Sequence, residues 1–411
     1  MENELEAVTE PGRVLVVLAE WHAENFSAHA DCYDRNGEFP QANVDALRQS
    51  GFLAAPAPES AGGMGVESVH DLMLASSRLA RGDASTTLGV NMHLLVYHAL
   101  SRQLVVARNR GDEAREEVLL ATLQRLIAGG AFIAAAVSEP DQDLHRPAST
   151  AVLDEGSWRI SGRKIICSGA PGATHFSVAV TVTEGEEERY AYAMVPRSAA
   201  GVSVLDDWDA LGMRASGSTS VVFDNVNLGS RGPGKGFPAG VISTGFLEQN
   251  LSYGAAHAAA SLGVAEAAHQ ASLTAVCKKH RSSPGGTPRG FVQERAAENS
   301  IELAAARAIF SRSLLMVDGH YAANPTGGAS LSEVSAVFAE VQRAKAFINS
   351  AAVRIADRAM AMVGGAGYAN SSPLARHYRD ARAGAFMHPL GSNVAIEYLG
   401  AHTLGLRPER F

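Results

Sequence analysis

Near Phe132 the hydrophobic period of this chain changes from about 3.6 to 2, and near Ala239 it changes back. Before the change, Val14, Val17 and Leu18 open one helical pattern, and Val44, Leu47 and Phe52 carry another with Gly51 as its stop. Helical spacing resumes through Leu72–Leu79 and Leu88–Leu100, after a loop of Pro and Gly residues at 56–65. In the middle block, Trp158, Ile160, Ile166, Phe176–Val182, Tyr190–Tyr192 and Val221–Phe223 alternate between Gly, Asp and Asn turn signals, so short antiparallel strands are expected. The block ends near Arg231–Gly234. Beyond it lie long amphipathic segments. One starts at a capping box, Ser330 to Glu333, and runs its core stripe through Val334, Phe338, Val341, Ile348, Ile355 and Met362. The expected domains are 1–128, 129–235 and 236–411, with a mobile loop at 282–288.

The 411 residues are 46% hydrophobic and 19% charged, which is enough chain for two or three packed domains. The net charge of −8 is spread in mixed sign without a basic run, which argues against nucleic acid or a membrane surface as partner. Cys32, Cys167 and Cys277 stand far apart, and the acidic start lacks the pattern of a secretory leader. A cytoplasmic protein is expected. No metal is expected, because no His/Cys cluster has ligand spacing. No GxGxxG lies in a strand–turn–helix context, so no NAD(P)H site of that kind is expected in this chain.

Six motifs follow one another in a recognisable order: Phe39-Pro40 to Gly51; Pro58-Glu59 to Gly65; Ser138-Glu139-Pro140; Gly162-Arg163-Lys164; Leu211-Gly212-Met213-Arg214 to Val226; and Gly364-Gly365-Ala366-Gly367-Tyr368 followed by Arg379-Asp380. This order resembles the acyl-CoA dehydrogenase family over nearly the whole chain. The resemblance implies an acyl-CoA dehydrogenase-like fold: an N-terminal α-helical domain, a middle antiparallel β-barrel domain and a C-terminal four-helix bundle, assembled as a homotetramer. It also implies a flavin, FAD or FMN, held by Val137, Ser138, Ile166, Cys167 and Ser168. Arg281 and the loop of Gly364, Gly365 and Gly367 would approach the cofactor's phosphate and nucleotide end in a neighbouring subunit.

The chain departs from the dehydrogenases where their chemistry lies. Nine residues after Arg379, the place of the catalytic Glu holds His388. No Asp or Glu stands between Gln249 and Ala265 to replace it, the Arg expected near there is Gly254, and the segment expected to hold the CoA thioester reads Asp143-Leu144-His145. Such departures resemble the two-component flavin monooxygenases of this fold, above all the amino-sugar nitrososynthases. That resemblance implies reduced flavin, O2 and a C4a-hydroperoxide, with N-hydroxylation of a small polar amine. S- or C-oxygenation, and an acyl-CoA dehydrogenase with another base, remain the alternatives. Ser168 and His388 would serve the flavin's reactive edge. His93 and Tyr97 stand four apart on a helix and read equally well as a pocket pair or as core. His98, His257, His269 and His280 read as surface or packing residues.

Overall fold

A computed structural model of the protein describes residues 4–140, 144–281 and 290–406, without the side chains of residues 280 and 281. The first domain is helical: α1 (Glu10–Asn36), α2 (Gln41–Gln49), α3 (Val69–Gly82), α4 (Ala84–Arg110) and α5 (Glu113–Ala128). Local chemistry sets their ends. The Thr9 hydroxyl accepts from the Gly12 amide to start α1, and Gly37 ends it with φ of 63°. Asp83 starts α4 by accepting from the Ser85 and Thr86 amides. Nearly all of α3 and the first half of α4 are buried, because α3 is packed between α1 and the long helix α6 (Thr244–Arg281) of the last domain.

The middle layer contains β1 (Ile133–Ala136), β2 (Thr150–Asp154), β3 (Ser157–Cys167), β4 (His175–Glu184), β5 (Glu187–Pro196), β6 (Val202–Val204), β7 (Thr219–Gly229) and β8 (Phe237–Pro238). They pair in the order β6-β7-β3-β2-β4-β5-β8, with β1 also on β4. The sheet is not wholly antiparallel as expected: β4 runs parallel to β1 and to β2. Alternation reports which face a side chain takes and carries no information on strand direction. Direction was set instead by the β2–β3 hairpin, which separates β1 and β2 from their partner β4 and makes both connections crossovers.

The last domain is built on α6 (Thr244–Arg281), α7 (Gly290–Ala323) and α8 (Leu331–Val363), followed by the short α9 (Gly365–Tyr368), α10 (Pro373–Ala383) and α11 (Ser392–Thr403). The capping box of Ser330 and Glu333 is present, and the whole stripe from Val334 to Met362 is buried. The three long helices pack on one another, and α10 takes the fourth place against α6 and α8. The loop expected at 282–288 lies outside the described residues.

Candidate active site

A cavity of about 300 Å³ opens where the three domains meet. Its walls come from α4 (Leu88, Met92), the sheet (Ala135, Val137, Ser138, Ile166, Ser168, Ser218), the 208–213 loop, α6 (Tyr253, His257) and the segment from Arg379 to His388. The sheet wall is fixed from behind by a buried ion pair. Lys164 Nζ lies 2.7 Å from Glu139 and donates to the Val137 carbonyl at 3.2 Å, while Glu139 also accepts from the Ala148 and Ser149 amides. The Ile165 amide then bonds to the Ser138 carbonyl at 2.9 Å. Ile166 has φ of 54°, a left-handed conformation that costs a β-branched residue about 1–3 kcal/mol. Ile166 and Ser168 line the cavity, whereas Cys167 between them is fully buried in the sheet core and burial pushes its thiol up to about 12. Of the sequence-predicted cofactor contacts, Cys167 therefore has only backbone to offer the cavity.

The Ser168 hydroxyl bonds to Ser218 at 2.8 Å, and Ser218 bonds to Ser216 at 2.7 Å. Two such bonds use two of three hydroxyl protons. Ser168 thus presents either its proton or a lone pair to the cavity, according to the direction in which the chain points. The 208–213 loop is tied down by its neighbours. Trp208 Nε1 donates to the Met213 carbonyl at 3.1 Å, and the Met213 amide donates to Asp380 at 2.6 Å. A Cβ at Gly212 would lie 2.2 Å from the Arg379 carbonyl oxygen, so the loop meets α10 at a distance only glycine permits. Arg379 grips Asp34 at 2.9 and 2.5 Å, and burial pushes Asp380 up to about 6.

His388 lines the same cavity. Its Nε2 lies 3.2 Å from Asn250 Oδ1, and Asn250 Nδ2 donates to the Phe246 carbonyl, so Nε2 carries the proton and Nδ1 is left as an acceptor. Burial, with the charge of Lys345 nearby, lowers the imidazole to about 3 and keeps it neutral at physiological pH. His257, read from the sequence as a surface or packing residue, lines the same cavity and is only 5% exposed. Tyr253 lies one turn before it on α6. That i, i+4 spacing was the available signal for a shared face. Gly254, where the dehydrogenases place an Arg, is faced by α8 and Pro389, and a Cβ there would lie 2.9 Å from Gln342.

His93 and Tyr97 are brought together, with ring centroids 4.3 Å apart, but neither is among the cavity residues. His93 Nε2 bonds to the Leu53 carbonyl at 2.9 Å and Nδ1 accepts from the Ile133 amide at 3.1 Å. Both nitrogens are used on backbone, and burial lowers the ring to about 4. The pocket reading of this pair is corrected accordingly: His93 ties the first domain to β1, and Tyr97 is core at 1% exposure. Gly364, Gly365 and Gly367 lie at the far end of α8, with Gly364 in an outer groove lined also by Tyr368, Asn370, Tyr378 and Arg379. Arg281 closes α6, and its side chain lies outside the described residues, as does Asp143. Among the described residues no cluster of His, Cys, Asp or Glu could hold a metal, and no helix is long and apolar enough to cross a membrane.

Tyr253 is a wall shared with a second, outer groove of about 590 Å³. That groove is lined by Arg102, Arg110, Arg115 and Lys235, with Asp112 and Glu248 as its carboxylates. Arg102 lies 4.8 Å over the ring of Tyr321, and Arg110 and Arg115 are oriented by the Thr326 carbonyl and by Gln103.

Three domain families match in order: the acyl-CoA dehydrogenase N-terminal domain over residues 15–103, the middle domain over 134–226 and the C-terminal domain over 255–389. Amino sugar nitrososynthase DnmZ of Streptomyces peucetius is 34% identical over 404 residues, spanning 97% of this chain and 95% of that protein. Amino sugar nitrososynthase RubN8 of Streptomyces rubradiris is 32% identical, spanning 97% and 92%. KijD3, solved in complex with FMN and dTDP-3-amino-2,3,6-trideoxy-4-keto-3-methyl-D-glucose, superposes with a TM-score of 0.88 at 31% identity, covering 98% of this chain and 96% of that one.

Proposed function

Because this chain belongs to the acyl-CoA dehydrogenase family, in the branch of its flavin-dependent monooxygenases beside the amino sugar nitrososynthases, we propose that it N-oxygenates an amino sugar carried on a nucleoside diphosphate. The observation that carries this reading is the single shared wall at Tyr253, which stands between a small, mostly apolar cavity and a groove with four cationic side chains. A diphosphate suits the groove, and a sugar amine reaching past Tyr253 suits the cavity.

The cavity residues fit a flavin. Its volume is at the lower end of ordinary ligand pockets, about 300–1,000 Å³, and apolar Leu88, Met92 and Trp208 face a hydroxyl edge of Ser138, Ser168 and Ser218. Such a pocket gives a flat ring apolar faces and a hydrogen-bonding rim. A reduced flavin held by these residues would supply the two electrons needed to activate O2. Ser168 stands at the cavity end of its hydroxyl chain to hold the flavin's reactive edge, as donor or as acceptor. His388 orients the amine. Its Nδ1 lone pair accepts an amine N–H, and its low basicity keeps it from becoming imidazolium. A neutral amine keeps the lone pair that must attack the oxygen. The apolar walls exclude water, which protects the oxygenating species.

The same reading includes a separate NAD(P)H–flavin reductase, a cytoplasmic setting, and a homotetramer in which Arg281, Gly364, Gly365 and Gly367 serve a neighbouring subunit's cofactor. An acyl-CoA substrate is disfavoured by two features together: His388 in place of a carboxylate, and Gly254 in place of an Arg, at a position where any Cβ would require Gln342 to shift. The test is product analysis. Purified protein, a flavin reductase, NADH, 18O2 and a dTDP-linked amino sugar should give an N-oxygenated sugar carrying the heavy isotope. Bleaching of bound oxidised flavin by an acyl-CoA, with no labelled sugar, would reverse the conclusion.

A further inference from the structure

Lys345 interrupts the apolar stripe of α8, between Val341 and Ile348, and is 2% exposed. Among the described residues it has no carboxylate partner. Its ammonium donates instead to three backbone carbonyls of one short segment: Met387 at 2.5 Å, His388 at 3.2 Å and Leu390 at 2.7 Å. Burying an unpaired ammonium is costly, and an apolar side chain of similar length would pack at the same place without that cost. The cation therefore does something that packing does not.

We propose that Lys345 is the positioning residue for His388, pinning the peptide groups on both sides of its Cα and so fixing the direction in which the imidazole enters the cavity. The Met387 carbonyl belongs to the peptide before that Cα and the His388 carbonyl to the peptide after it. With both held, the Cα–Cβ bond has one direction. The ring is then fixed at its far end by Asn250 of α6. His388 is thus held by two different helices of the bundle, its backbone by α8 and its ring by α6. The same charge lies close enough to both cavity imidazoles, His388 and His257, to oppose their protonation. The inference rests on the proposed role of His388 in turnover, but its geometric part is independent of any substrate.

The test is Lys345→Met, read in two ways. With the amino-sugar substrate, kcat should fall on the order of 10²-fold, the usual effect of a misplaced reacting group, while KM and flavin affinity stay within about threefold. In protein labelled with 13C-histidine, the His388 ring resonances should shift or broaden without substrate present. A folded variant with unchanged kcat and unchanged His388 resonances overturns the proposal. If the resonances move but the wild type itself oxygenates no amine, the functional reading fails and the positioning role stands. Should the Met variant not fold, the wild type carries the test. Burial lowers Lys345 to about 7, so its charge is present below that pH and lost above it. His388, at about 3, and His257, held well below its ordinary value, do not titrate there, and Arg379 and Arg382 on the same cavity stay charged. A change in the His388 resonances that follows the titration of Lys345 itself, read from its 13Cε shift and distinguished from that of Asp380 by the Asp380→Asn variant, is expected, and His388 resonances that stay flat while Lys345 titrates overturn the proposal.

Discussion

Replacing His93 with Leu separates a structural histidine from a catalytic one. The wild-type ring satisfies the Leu53 carbonyl and the Ile133 amide in a fully buried place. A Leu side chain leaves both unpartnered, at about 1–3 kcal/mol each, or roughly 2–6 kcal/mol together. That is a large share of a typical stability of about 5–15 kcal/mol. The pH dependence sharpens the expectation. His93 is lowered from an ordinary value of 6.5 to about 4 in the folded protein. Its protonation favours the unfolded chain, so the stability it confers is complete above pH 6.5 and declines as the pH falls toward 4. At pH 5 the loss is about 2 kcal/mol. Urea unfolding, followed by circular dichroism at pH 7.5 and pH 5, should therefore show a large gap between wild type and variant that narrows by about 2 kcal/mol in acid. Product formed per folded, flavin-loaded site should stay within a few-fold. A variant with unchanged unfolding midpoint and activity reduced a hundredfold would refute this reasoning and return His93 to the chemistry.

Ser168→Ala removes the cavity end of the hydroxyl chain but leaves Ser218 bonded to Ser216. Stability should change by less than about 1 kcal/mol, while the oxygenating state of bound flavin, timed by stopped-flow absorbance, decays up to about tenfold faster. Arg115→Gln removes one cation from the outer groove, and KM for a nucleotide-linked amino sugar should rise about tenfold. The free amino sugar should be unaffected, and the KM of the wild type for the linked form should increase with ionic strength. Equal losses for both sugars would place the diphosphate elsewhere.

The layered order of the fold was legible because each block carries its own hydrophobic period, and the α8 stripe and capping box formed as their spacing dictates. Strand direction was not, because alternation is the same in parallel and antiparallel pairs; β1 and β2 on β4 show this. At the site, the family resemblance singled out His388 by its distance from Arg379 and Ser168 by its match to a flavin-facing hydroxyl, and both line the cavity. The sequence offered a pocket role for His93 and only a surface or packing role for His257, whereas His257 is the one that lines the cavity. Both sit on helices among small and apolar neighbours, and only tertiary packing turns one onto backbone groups and the other to the cavity. Lys345 went unread in the sequence, because its three carbonyl partners come from a segment about forty residues away.

The most direct test of the account is rapid mixing of the protein, loaded anaerobically with chemically reduced FMN, against oxygenated buffer with and without a dTDP-linked amino sugar. N-oxygenation by bound reduced flavin should give a lag between oxygen consumption and the return of oxidised flavin absorbance, shortened by the amino sugar and accompanied by N-oxygenated product. Flavin that reoxidises as fast as it does free in buffer, with hydrogen peroxide as the only product whether or not the amino sugar is present, would contradict it.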